Sequence, residues 1–390
     1  MTKTIPGGMP AVEFLTEYWQ KKPCFIGQAV TDFQPFISKE EFLSLASRDE
    51  VESRLVLESG GESPWEVIHG PFEENELAAL PPEHWTLLIQ NTELYFPAAS
   101  QFLERFNFIP GWRIDDLMIS FAPLNGSVGP HLDSYDVFLF QAMGKRKWSI
   151  SSDLYNDDDF IEGLDIRVLE NFSPDKEWIL EPGDMLYLPP GIAHYGVALE
   201  DCMTFSIGFR APSNHELISQ YIDDLLINKK ENRYTDPDLS LQAHSGEISA
   251  HHLGNIRAFM ESVIPREIEL ENWFGKYVTR LPENFKLDIV KIESDITTFL
   301  HKVQGEKYLT KRPGCRSVFI SRENYFELYV NGEEYRVSQA SEQFVHNFTE
   351  NQNFENPLRN ENRTDSELCT LLFKLYLRSI ISTESEKNHG

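Results

Sequence analysis

The sequence predicts an α+β protein. Its larger part is a double-stranded β-helix, a jelly-roll barrel, followed by a helical module and a C-terminal winged-helix-like module. Three observations predict this. A His-x-Asp pair and a distant histidine, each framed by turn signals, are set for the mouth of a barrel. Residues from about 51 to 212 alternate in hydropathy and are rich in turns. From Asn214 the apolar period lengthens to that of a helix. The domain boundaries that follow are 1–212, 213–285 and 286–390.

Taken in order, residues 10–20 and 39–48 read as helices that open the first domain. Gly129–Asp133 contains His131 and Asp133, which point the same way on a strand. Val137–Phe140 reads as a strand, Gln141–Lys145 as a turn and Arg146–Ile150 as the return strand. Glu181–Asp184 is a turn that launches the strand Met185–Leu188. Pro189–Gly191 is a second turn and carries the chain back through His194. If His194 converges from a neighbouring strand, two imidazoles and one carboxylate meet on one side of a metal. That leaves coordination positions open, as in non-haem Fe(II) oxygenases. The bland alternative is a hairpin histidine and a satisfied loop histidine, and the turn frames favour the metal.

Alternation puts Arg146 and Trp148 on one face of their strand, with Lys145 and Lys147 on the other. Two readings fit: a solvated basic turn, or an inward Arg146 that grips a dicarboxylate with two parallel bonds.

Further on, Leu217, Ile218, Tyr221, Leu225 and Leu226 share one face of a helix over 214–228, with Asn214 as its cap. Helices near 256–263 and 268–277 follow, and His244, His251 and His252, ahead of them in the chain, read as surface histidines. The last segment offers a helix over 287–303, strands at 317–320 and 325–330, and an Asn331-Gly332 hairpin into 334–337. A helix over 366–381 closes it. Lys311, Arg312 and Arg316 are the only basic cluster there, in an expected loop, so DNA binding is not expected.

Composition sets bounds. The hydrophobic fraction of 41% suffices for a sizeable core, and no apolar run reaches the length of a membrane span. The start lacks a signal-peptide apolar region, and four scattered cysteines (24, 202, 315 and 369) read as reduced thiols, so a cytoplasmic protein is expected. The net charge of −27 argues against nucleic-acid binding and suits either solubility or a basic partner. Residues 286–390 hold 14 Lys and Arg against 16 Asp and Glu, so −25 of the charge lies in residues 1–285. Its densest run, Asp153–Asp165, either flanks the site or is a solvated loop.

Several of these stretches occur in the order of a known family. Phe14–Pro23, Trp112–Ser120, Gly129–Phe138, Gly144–Trp148, Glu181–Asp184 and Ser206–Pro212 resemble the JmjC-type ribosomal oxygenases of the cupin superfamily. Within them the bacterial ribosomal-protein arginine hydroxylases are the nearest likeness, over residues 10–280. The resemblance implies Fe(II) at His131, Asp133 and His194, with 2-oxoglutarate and O2 as co-substrates. It implies Arg146 at the C5 carboxylate of 2-oxoglutarate, with Thr204 and Ser206 on the co-substrate side. Thr204 stands where an asparagine is expected, and the glycine-rich run before the metal motif is altered to Pro123–Gly129. Asp133 in place of glutamate favours a hydroxylase over a demethylase. The resemblance further implies a homodimer built through residues 214–280 and a basic ribosomal protein as substrate. Asp115, Asp116 and Tyr135 are candidates to receive its arginine. Histidine hydroxylation, lysine demethylation, a Zn or Mn enzyme on the same barrel and a non-catalytic cupin binding protein are the alternatives.

Overall fold

The computed structural model describes residues 3–58, 65–228, 230–241, 243–262, 267–282, 285, 295–361 and 366–383. The strands of the first part are β1 (Cys24–Ile26), β2 (Ser53–Glu58), β3 (Trp65–His69), β4 (Trp85–Ile89), β5 (Ile114–Ala122) and β6 (His131–Leu132). They continue as β7 (Val137–Met143), β8 (Arg146–Ser151), β9 (Lys176–Leu180), β10 (Met185–Leu188), β11 (Ala193–Ala198) and β12 (Cys202–Phe209). An eight-stranded sheet runs β1-β10-β7-β12-β5-β4-β2-β3, and a four-stranded sheet runs β6-β11-β8-β9. Residues of both sheets line one cavity between them, which is the jelly roll expected. β7 continues to Met143, so the turn shrinks from the expected 141–145 to Gly144-Lys145. Gly144 sits at φ 61°, where a Cβ would strike the Asp201 carbonyl.

The central strands of the large sheet are buried on both faces, and this explains their sequences. On β5, Leu117, Ile119 and Phe121 enter the main core; on β7 Phe138 and Phe140 do so, and on β12 Met203, Phe205, Ile207 and Phe209. The alternate residues Asp116, Met118 and Ser120, Val137 and Leu139, and Thr204, Ser206 and Gly208 line the cavity. Helices Ala11–Glu17 and Lys39–Leu45 cover the outer face, each shorter than expected. The second is fixed by a capping box between Ser38 and Glu41. Phe14 of the first packs 5.4 Å from Phe138 and 4.9 Å from Tyr187.

Helix Asn214–Asn228 lies where the period changes. Its cap is Ser213, whose Oγ accepts from Glu216 N (3.0 Å), and not Asn214. Tyr221 packs on Trp273 (4.9 Å) of helix Glu267–Thr279 within the protomer. The outward row is Ile218, Ile222 and Leu226, which are exposed. Exposed Leu253, Ile256 and Met260 lie on helix Ala250–Glu261.

The C-terminal part has its own core around Phe299, Leu328, Val345, Phe348 and Leu372. Helix Ile296–Val303 starts at its cap Asp295, whose backbone is extended and whose side chain accepts from Thr297 N and Thr298 N, which ends the expected helix over 287–303 on that side; residues 287–294 lie outside the described residues. Strands Ser317–Ser321, Tyr325–Val330 and Glu333–Ser338 form a meander. Asn331 and Gly332 turn its second hairpin at φ 49° and 81°. Helix Glu367–Leu377 stops before the expected 381, because Ile381 pairs with Lys311 in a separate small sheet. Lys311 is therefore a buried strand residue and not part of a basic loop. Among the described residues no helix is long and apolar enough to cross a membrane.

Phe138 is fully buried with Phe106 (5.1 Å), Tyr187 (5.0 Å) and Phe209 (5.7 Å) around it. Phe138→Ala should lower unfolding stability by about 3–5 kcal/mol in urea titrations. A loss below about 1 kcal/mol would mean that the cluster does not hold the sheet.

Candidate active site

The ligand set forms because β11 pairs with β6 in a register that sets His194 opposite His131. Pro189–Gly191 delivers β11, and Gly191 N donates to the Asp133 carbonyl (2.8 Å), so the turn and the His-x-Asp loop hold each other. One ligand atom from each of His131, Asp133 and His194 lies within 4.8 Å of the other two. His194 Nε2 stands 3.7 Å from Asp133 Oδ2. His131 Nδ1 lies 2.9 Å from the Gly129 carbonyl and His194 Nδ1 3.0 Å from the Ile192 carbonyl. A carbonyl only accepts, so each Nδ1 carries the proton and each Nε2 keeps its lone pair for a cation. This donor set fits a divalent transition metal. Among the described residues it is the only such group, so His244, His251 and His252 do not assemble one.

The ligands open on a cavity of about 380 Å³ that Arg146, Trp148, Thr204, Ser206, Asp116 and Tyr135 also line. Arg146 is buried, whereas Lys145 and Lys147 point outward to Glu181 (2.6 Å) and Glu177 (3.4 Å). The inward reading of Arg146 is the one the structure adopts. Its guanidinium donates to the Gly196 carbonyl (3.2 Å) and lies 5.1 Å from the Trp148 ring. Arg146 has no carboxylate partner among the described residues, and its Nε is unpartnered, as are Trp148 Nε1 and Thr86 Oγ1 on the same lining. A buried cation in this state is costly unless an anion joins it. Gly196 is required beside it, since a Cβ would fall 2.6 Å from the Trp148 ring and 2.8 Å from Arg146 Nε. Thr204 Oγ1 donates to Gln141 Oε1 (3.2 Å), and Ser206 lies two residues along the same wall.

The JmjC domain family matches residues 101–217. Over 328 residues the chain is 36% identical to the ribosomal protein uL16 3-hydroxylase of Escherichia coli K12, covering 83% of this chain and 84% of that protein. This chain belongs to the JmjC-type ribosomal oxygenases. A probable ribosomal oxygenase of Haemophilus influenzae is 29% identical, over 82% of this chain and 80% of its own. The solved structure of the E. coli ribosomal oxygenase YcfD with cobalt and 2-oxoglutarate superposes with a TM-score of 0.78 at 31% identity, over 96% of this chain and 98% of that one.

The remaining candidates in this ribosomal oxygenase separate by strand alternation. Asp116 faces the cavity, and Asp115 points the other way, into an ion pair with Arg210 (3.0 Å). Asp115 is thus removed from the cavity lining. Burial, then the Glu93 and Asp115 carboxylates, push Asp116 up to about 8. Tyr135 is 42% exposed at the mouth, and burial of its hydroxyl with the Asp133 charge raises its phenol well above the usual value. Gly208 leaves room between them: a Cβ there would lie 3.2 Å from Asp116 Oδ1. Sequence reasoning missed Arg54, Thr86 and Gln90 of the lining. It left the acidic run open, and Asp165, Ile166 and Arg167 do reach the cavity.

Burial, with His131 beside it, lowers His194 to about 4. The unfolded chain takes up that proton near 6.5, so this contribution is intact above 6.5 and is lost as pH falls towards 4. Metal-free protein should lose up to about 3 kcal/mol over that window through this group. Melting curves of the wild type and His194→Asn between pH 7 and 4.5 check this. Parallel slopes would place the acid sensitivity in other groups.

Proposed function

We propose that this protein is an Fe(II)- and 2-oxoglutarate-dependent hydroxylase of a basic ribosomal protein, acting on an arginine side chain of uL16. One observation carries it: a His-Asp-His group and a buried, unpaired arginine open on one cavity. The 36% identity to a uL16 3-hydroxylase supports the substrate.

His131, Asp133 and His194 hold the iron in this reading. When bound, Fe(II) with 2-oxoglutarate and O2 supplies the oxidation, converting 2-oxoglutarate to succinate and CO2 and placing one oxygen atom in a substrate C–H bond. Arg146 takes the C5 carboxylate, which relieves its unpaired charge. Thr204 and Ser206 lie along that side of the cavity. Asp116 and Tyr135 receive the substrate guanidinium at the other end. A cation arriving there lowers the raised Asp116 pKa, so the carboxyl ionises as it is engaged.

The domains are 1–212 for catalysis, 213–285 for dimerisation and 286–390 as a winged-helix-like interaction or structural module without DNA binding. The exposed apolar rows on the helices over 214–228 and 250–261 support a homodimer. A ribosomal substrate supports a cytoplasmic location. The net charge of −27 supports attraction of a basic partner.

Three measurements test these readings. Asp133→Ala should abolish uL16 hydroxylation, read as loss of the +16 Da mass shift, and Arg146→Ala should raise the 2-oxoglutarate KM by a penalty of about 2–5 kcal/mol, with Arg146→Lys recovering part. Full turnover by the first variant, or an unchanged KM in the second, would sink the assignment concerned. Ile222→Asp with Leu226→Asp should give a monomer in light scattering. A monomeric wild type would end the dimer reading.

A further inference from the structure

We infer that Arg316, from the C-terminal module, is a positioning residue of the active site: it holds the cavity wall that presents Asp116. This rests on the reading of Asp116 as a substrate-facing carboxylate. Arg316 is 223 residues from Glu93 in sequence, yet its Nη2 donates to Glu93 Oε1 (3.4 Å), Asn91 Oδ1 (3.1 Å) and the Asp115 carbonyl (3.0 Å). Nη1 donates to the Arg280 carbonyl (3.1 Å) of the helical segment. The guanidinium spends its hydrogen bonds outside its own module.

Its backbone is fixed from within that module. Arg316 N donates to Asn331 Oδ1 (2.8 Å), and Asn331 N donates back to the Arg316 carbonyl (3.0 Å). The Asn331-Gly332 hairpin is thus the anvil behind the side chain. In front of it, the contacts lead to Asp116 by two short paths. Asn91, whose side chain Arg316 holds, donates its backbone N–H to Asp116 Oδ2 (3.3 Å). Glu93, which Arg316 neutralises, accepts from Leu117 N (3.0 Å), the residue after Asp116. Arg316 holds the Asp115 carbonyl directly and Leu117 N through Glu93, so it is tied to the strand on both sides of Asp116. Gln90, Asp116 and Tyr135 line the metal cavity and also a neighbouring crevice of about 530 Å³ in which Arg316 lies. Burial raises the Glu93 pKa and the Arg316 charge opposes this, so without Arg316 the buried carboxylate under this wall would lose its main stabilising partner.

The test is a double-mutant cycle on uL16 hydroxylation by the full-length enzyme, with Arg316→Ala and Asp116→Asn alone and together. Arg316→Ala should raise the uL16 KM about tenfold with a smaller change in kcat, roughly the value of one hydrogen bond to a charged group. In the Asp116→Asn background it should have little further effect, and Arg316→Lys should restore part of the KM. If Arg316→Ala does not fold, Asn91→Gly cuts the same path and tolerates the left-handed backbone at φ 52°; the same cycle is then run with it. Raised KM values that multiply fully in the double variant would overturn the positioning role, because Arg316 would then act independently of Asp116. An unmoved KM in Arg316→Ala, or in Asn91→Gly where that variant replaces it, with Asp116→Asn impaired, would also overturn it and leave the Asp116 reading standing. An unmoved KM in Asp116→Asn overturns that reading and this inference with it.

Discussion

Three central strands of the large sheet must satisfy two incompatible surroundings at once. β5, β7 and β12 each send every second side chain into an aromatic core and the others into a polar cavity. A slip of one residue in any of them would put Phe205 or Phe138 into the cavity and Ser206 or Asp116 into the core. The aromatic cluster therefore does more than stabilise the barrel: it fixes the register in which the polar residues face the metal ligands.

That register also separates charge. Thr204 pairs with Ser120 and Gln141 at one end of β12, and Gly208 pairs with Asp116 and Val137 at the other. These two positions are four residues apart, about 13 Å along a strand. The strand β8 enters at the first end with its unpaired Arg146, so an anion is required there. Asp116 and Tyr135 stand at the second end, where an acidic group suits a cation. One cavity thus has a buried cation at one end and an ionisable carboxyl at the other, with the His-Asp-His group opening between the sheets.

Much of this was legible in the sequence, for local reasons. The Glu181–Asp184 and Pro189–Gly191 turns frame their strands because glycine takes φ 94° at Gly183 and 79° at Gly191. Period-two alternation separated Arg146 from Lys145 and Lys147, and it aligned His131 with Asp133. The same rule, applied to Leu117, Ile119 and Phe121, would have divided Asp116 from Asp115. Arg54 and Thr86 carried no such signal, since strands far apart in sequence bring them to the cavity. The end of the last helix was misjudged because Ile381 finds a strand partner in Lys311, a contact across 70 residues. The cap at Ser213 was missed because Asn214 is an equally good capping type one position later.

The Arg316 contact has the same origin as those omissions, and its energetics explain why it is built from several partners. A lone surface pair between two modules would contribute little. Here the carboxylate is buried, so its desolvation must be offset by a cation and by Leu117 N together. Nη2 of the planar guanidinium shares its two N–H groups among Glu93, Asn91 and the Asp115 carbonyl while Nη1 holds the Arg280 carbonyl, an orientation that a lysine ammonium defines less well. The consequence is mechanical. The edge of the cavity is tied to a module that contributes none of the His-Asp-His group, and the tie runs through Asn91, Glu93 and the Asp115 carbonyl to the strand that carries Asp116.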